Sequence, residues 1–90
     1  MASNFRVSTQ KNSENVHLHL IGDFDGSSAW QLFDIIENGC KSANKVFIHT
    51  DTLNRIHPFG CSTFHKHLHI LKRYSMHIVF TGENANKLSP

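Results

Sequence analysis

Apolar and polar residues alternate most regularly at 16–21, where Val16, Leu18 and Leu20 share one side and His17, His19 and Ile21 the other. A period of two predicts a strand with one buried face. Residues 5–8 alternate more briefly and predict a short edge strand, with the polar stretch 9–14 as the turn between the two. Gly22-Asp23-Phe24-Asp25-Gly26 is expected to end the second strand, since its glycines permit tight backbone. The period then changes. Ala29, Leu32, Phe33, Ile36 and Cys40 recur at helical spacing and leave Trp30 off the centre of the stripe. Ser27 or Ser28 is the expected cap, because Ser28 and Gln31 have capping-box spacing. Gly39 and the polar run after it end this helix.

Val46-Phe47-Ile48, extended by His49 and Thr50, is a β-rich run without clear alternation, which predicts a central strand covered on both faces. Residues 52–59 read as a loop, since Pro58 removes a backbone donor and favours an extended His57. A second helix is expected from Cys61 or Ser62 to Tyr74, with Phe64, Leu68 and Leu71 as its core stripe and Lys72-Arg73 at its C-terminal end. Ser75 breaks it. Met76, Ile78 and Phe80 then alternate in a last strand, and 85–88 begin another helix. The order β-β-α-β-α-β places a hairpin before two crossovers, so the fold is read as α/β with a mixed sheet of about four strands.

The chain has 90 residues, enough for one core, and residues 1–90 are read as a single domain. Nine Lys and Arg against seven Asp and Glu give a net charge of +2. Without a clustered basic footprint, this argues against a nucleic-acid partner. Cys40 and Cys61 make no disulfide framework, and no apolar stretch approaches the ~20 residues of a membrane span. A cytoplasmic protein with no direct membrane insertion is expected.

Four segments, in order, resemble the STAS domain family, the sulfate-transporter and anti-sigma-factor-antagonist fold. The strand Val16-His17-Leu18-His19-Leu20-Ile21 and the turn Gly22-Asp23-Phe24-Asp25 are similar to the family's opening strand and its Gly-x-hydrophobic-Asp turn. Ser28-Ala29 followed by Leu32 matches its first helix, and Lys45-Val46-Phe47-Ile48-His49-Thr50 its apolar strand. Ile56-His57-Pro58-Phe59-Gly60 aligns with the signature hydrophobic-Asp-Ser-Ser-Gly loop. The resemblance implies a STAS-like mixed sheet covered by helices, here with a shortened C-terminal helix. It also implies a regulatory module that binds a protein partner.

In the family's anti-sigma-factor antagonists the first Ser of that loop is phosphorylated by a partner kinase. A phosphate brings about −1.5 to −2 charges to a helix start and so resets an interface. Here the family's Asp falls at His57, the first Ser at Pro58 and the second at Phe59, while Gly60 is kept. Pro58 has no hydroxyl, so the usual switch is absent. Thr50, Thr52, Ser62 and Thr63 are the nearest substitutes.

The resemblance therefore implies a non-catalytic module that docks a partner at His57, Pro58, Phe59, Gly60 and Thr63. Two partner classes are open: an anti-sigma factor or other serine-kinase-like protein, and a component of a transport or signalling complex. The short C-terminal segment leads to an expectation of self-association as a homodimer, which would cover apolar surface a full helix otherwise hides.

Other chemistry is read against plainer alternatives. Eight histidines admit a metal-binding reading, through His65 and His69 four apart or through His17 and His19 with His77 beside them. Solvated or half-buried histidines are the plainer account, and no metal or cofactor is assigned. Cys61, expected near a helix N-terminus with His57 and His65 close in sequence, suggests a nucleophilic pair. No third orienting group accompanies it, so no catalytic residue is assigned. Asp23, Asp25 and Asp51 admit a carboxylate site, against a turn and helix entry. Pro58 and Phe59 read either as a rigid apolar projection for a partner, with Trp30 and Tyr74 as further exposed aromatics, or as a core plug.

Overall fold

A computed structural model describes residues 4–40, 43–71 and 77–88. The elements run β1 (Arg6–Asn12), β2 (Asn15–Phe24), α1 (Gly26–Gly39), β3 (Lys45–Ile56), α2 (Pro58–Leu71), β4 (His77–Thr81) and α3 (Ala85–Leu88). The sheet has the order β1-β2-β3-β4. The β1–β2 hairpin is antiparallel, and β2, β3 and β4 are parallel to one another, which is the mixed sheet expected.

The first strand is longer than its apolar pattern suggests. Thr9 to Asn12 are polar and exposed, yet they pair with β2 as far as Asn12 opposite Asn15. Main-chain hydrogen bonding extends the hairpin where burial does not, and Ser13 turns it with a positive φ of 58°. The second strand also continues through Gly22 instead of stopping there. Gly22 has φ +97°, and a Cβ there would collide with the carbonyl of Asn4.

The third strand departs furthest from expectation, since residues 52–56 are strand, not loop. Two register shifts against β2, between His19 and Ile21 and between Gly22 and Asp23, break its alternation. Asp51 and Thr52 are both exposed as a result, and the simple period is hidden. Nor is this strand covered on both faces. Val46, Ile48 and Thr50 are buried, whereas Phe47 and His49 are only half-buried.

The helices lie together on one side of the sheet. Leu18, Leu20 and Phe24 of β2 and Val46 and Ile48 of β3 are buried with Leu32 and Ile36 of α1 and Phe64 and Leu71 of α2. The Phe64 ring joins the layers, meeting Phe24 at 6.2 Å and Phe80 at 6.1 Å, edge to face both times. Leu88 of α3 is buried in the same core. Cys40 is too, as a small apolar side chain whose thiol burial pushes up. Among the described residues, no helix lies on the opposite face of the sheet.

Both long helices begin earlier than expected. Asp25, not Ser27 or Ser28, caps α1. Its carboxylate accepts the Ser28 N–H at 3.0 Å, and that bond holds its pKa below the ordinary value. Ser28 is buried, with its hydroxyl donating to the Asp23 carbonyl at 2.9 Å. α2 opens on Pro58 because a first-turn position needs no N–H donor. The His57 carbonyl accepts from Gly60 N at 2.9 Å and Cys61 N at 3.2 Å. The expectations for Lys41, Lys72, Arg73, Tyr74, Ser75 and Met76 lie outside the described residues.

Candidate functional site

The carboxyl ends of β2 and β3 and the starts of α1 and α2 meet at one edge of the domain. In open α/β sheets this edge is where recognition residues gather. His57 N donates to the Phe24 carbonyl at 2.8 Å, which carries the strand pairing up to the first residue of the helix turn. Gly60 then packs on the main chain of Asp25. A Cβ at Gly60 would lie 2.7 Å from the Asp25 carbonyl carbon, so only glycine lets the two helix starts come this close.

This packing turns Phe59 outward. Phe59 is 74% exposed and its ring lies over Gly26, so it is not a core plug. His57 and Pro58 are exposed beside it. Thr63 stands one turn along α2, with its hydroxyl donating to the Phe59 carbonyl at 2.8 Å. One further turn brings His67, whose Nδ1 meets the Thr63 carbonyl at 2.7 Å. The His67 ring packs against Trp30 of α1 at 4.1 Å, and Trp30 is 54% exposed. Phe59, Thr63, His67 and Trp30 therefore form a ridge along the outer side of the helix pair. Trp30, expected as an exposed aromatic, is brought to the predicted set by this packing, and His67 joins with it; no spacing within either helix reveals that contact.

The remaining sequence candidates fall elsewhere. Cys61 lies within the first turn and a half of α2, and its half-burial raises its thiol instead of favouring thiolate. His65 Nε2 meets the Leu88 carbonyl at 2.9 Å, which occupies it in holding α3, and His69 is exposed. Asp25 is committed to its cap. Among the described residues, no three His, Cys, Asp or Glu side chains gather as a metal site. Of the substitute hydroxyls, Thr50 is fully buried and Ser62 is exposed. Thr52 donates to the Leu20 carbonyl at 2.7 Å.

A second cluster lies on the uncovered sheet face. His17 and His19 share that face of β2, as the alternation predicts, and β3 adds His49 between them. His17 Nδ1 and His49 Nε2 are 2.9 Å apart, and His49 Nδ1 meets the Thr81 hydroxyl at 2.6 Å. His19 stacks on His49 with centroids 4.3 Å apart, and Phe47 stacks on His17 at 4.7 Å. His77 pairs with Lys45 at the end of the sheet and does not join them. The role of His49 depends on strand register, which the local sequence does not carry.

No family model matches the chain, and no curated protein sequence does. Solved structures share its fold. A crystal structure of Mglu superposes with a TM-score of 0.71 at 16% identity, covering 81% of this chain and 18% of that one. Mglu in its glutamate form gives 0.72 at 11% identity, over 83% and 26%. The anti-sigma factor antagonist SpoIIAA in its unphosphorylated form gives 0.61 at 14% identity, over 94% of this chain and 80% of that one. The chain thus spans about a quarter or less of the Mglu chains and most of SpoIIAA. The four-stranded mixed sheet with its helices is the STAS-like fold of SpoIIAA. Among the described residues, no helix is long and apolar enough to cross a membrane.

Proposed function

We propose that this chain is a non-catalytic regulatory module of STAS type, and that it binds a protein partner through the ridge on α1 and α2. The 74% exposure of Phe59, beside the Gly60–Asp25 contact, is the observation that carries this reading. Aromatic side chains contribute disproportionately to protein interfaces, because a large area is buried for few rotatable bonds. Trp30 supplies a second such ring two turns away along the ridge. The fold shared with an unphosphorylated anti-sigma factor antagonist supports a partner of the anti-sigma or serine-kinase-like class. Pro58 and Phe59 make recognition at this loop apolar and independent of a phosphate on Pro58.

The test is affinity capture with wild-type protein and with Phe59→Ala and Trp30→Ala, followed by measured affinity for the recovered partner. Retained melting temperature with at least about tenfold weaker binding in each variant supports the reading. Unchanged affinity in both variants removes the ridge as the docking surface.

A further inference from the structure

The uncovered sheet face carries a second device, separate from the helix ridge. We propose that His17, His19 and His49 form a proton-sensing cluster that charges this face and strains the seam between β2 and β3 as the solution turns mildly acidic.

The geometry is that of shared protons. The His17 and His49 rings lie within 7° of parallel, with centroids 5.1 Å apart and facing nitrogens 2.9 Å apart. Two coplanar imidazoles joined nitrogen to nitrogen have about this centroid separation, so the pair meets edge to edge through one N–H···N bond. Their lone pairs point at each other instead of converging on an outside atom, which suits a proton and not a metal ion. One hydrogen satisfies both facing nitrogens. When both rings are fully protonated, two N–H groups face each other and the bond is lost. His19, stacked on His49 at 4.3 Å, adds a third ring on which a positive charge is repelled.

Among the described residues, the surroundings do little to neutralise such charge. On β1, the residues opposite His19 and His17 are the uncharged Ser8 and Gln10, and Arg6 stands further along. Lys45 and His77 lie at one end of the face. Thr81 of β4 offers a hydroxyl to His49. Asp51 on β3 is the acid that favours charge on His49, while Asp23 lies beyond it in register with Arg55. The helices are on the far side of the sheet. Burial, followed by His19 and His17, holds the His49 imidazole below its ordinary value against the pull of Asp51.

The sign follows from linkage. An unfolded histidine takes its proton near pH 6.5, while folded His49 resists it. The stability of the native state is therefore complete above that pH and falls as the pH drops below it.

The experiment is thermal unfolding of the full chain between pH 8 and pH 5, for wild type, His49→Gln and His69→Gln. Wild type is expected to lose melting temperature across this window. His49→Gln should reduce that slope by about half or more, and His69→Gln, on exposed α2 surface, should keep it. A wild-type slope retained in His49→Gln overturns the proposal. Should His49→Gln fail to fold, an NMR titration of the wild-type imidazoles decides. A His49 imidazole that takes its proton below the ordinary histidine value of about pH 6.5 supports the cluster. A His49 imidazole that takes its proton at or above that value overturns it.

Discussion

The α-carbon of Gly60 rests on the main chain of Asp25, with a would-be Cβ 2.7 Å from the Asp25 carbonyl carbon and 2.8 Å from its oxygen. Both partners are backbone at helix starts, so neither moves without shifting a helix. Gly60→Ala is expected to cost about 1–3 kcal/mol, as overpacking in tight sites does. Gly26→Ala is a useful contrast. Its added Cβ meets the Phe59 ring at 2.7 Å, and that ring is free to swing into solvent. Urea denaturation of the two variants should show a large loss in the first and a small one in the second.

Phe59 and Phe64 sit five residues apart on α2 with opposite fates, one exposed and one fully buried. Phe64→Ala removes a ring that packs on both Phe24 and Phe80, and should cost about 3–5 kcal/mol. For a domain this small, that approaches total stability. Phe59→Ala should stay within about 0.5 kcal/mol, as surface changes usually do. Equal losses in the two variants, read by thermal unfolding, would contradict the outward placement of Phe59.

Asp25 makes the α1 cap sensitive to acid. Its carboxyl is held below the ordinary value by the Ser28 N–H, so its contribution is present above the unfolded carboxyl's pKa and is lost as pH falls through the lower folded value. That window lies below about pH 4, clear of the histidine range. Asp25→Asn keeps a side-chain oxygen for the cap but has no proton to gain. Its stability should flatten against pH in this acid range, while wild type continues to fall. Chemical denaturation at pH 5, 4 and 3 measures both.

Local patterns carried the parts of this fold that depend on local physics. Leu18 and Leu20 fixed a strand face, and Leu32 and Ile36 a helix face, because burial imposes a period that the sequence must repeat. β3 beyond Thr50 was hidden because its register shifts against β2 put Asp51 and Thr52 together on the outside. The start of α2 was hidden because proline suits both a loop and a first helical turn. At the ridge, Pro58 and Phe59 were readable as a projection and Trp30 as an exposed aromatic, whereas the packing of Trp30 on His67, which joins the two helices there, was not. His49 is a similar case: its partners His17 and Thr81 lie 32 positions away on either side, and only strand pairing brings them together.

Thr50 shows how a polar side chain can be wholly internal and still stabilise the fold. It is fully buried in β3, where its hydroxyl donates to the Thr81 carbonyl at 2.7 Å and accepts the Asn84 N–H at 3.2 Å. Asn84 closes the arrangement by donating its side-chain amide to the Thr50 carbonyl at 3.2 Å. Thr50→Val matches the shape but strands both main-chain partners, at an expected cost of about 1–3 kcal/mol. Thr50→Ser keeps the hydroxyl and loses one methyl, about 1 kcal/mol. The order of stabilities should therefore be wild type, then serine, then valine. The same burial excludes Thr50 as a phosphate acceptor in the folded protein, whereas Ser62 is exposed on α2. Incubating folded protein with a broad-specificity serine/threonine kinase and mapping the phosphate by mass spectrometry should find Thr50 unmodified. Modification of Thr50 at a rate equal to that of Ser62 would mean that β3 and the turn after β4 open far more readily than this hydrogen-bonded packing allows.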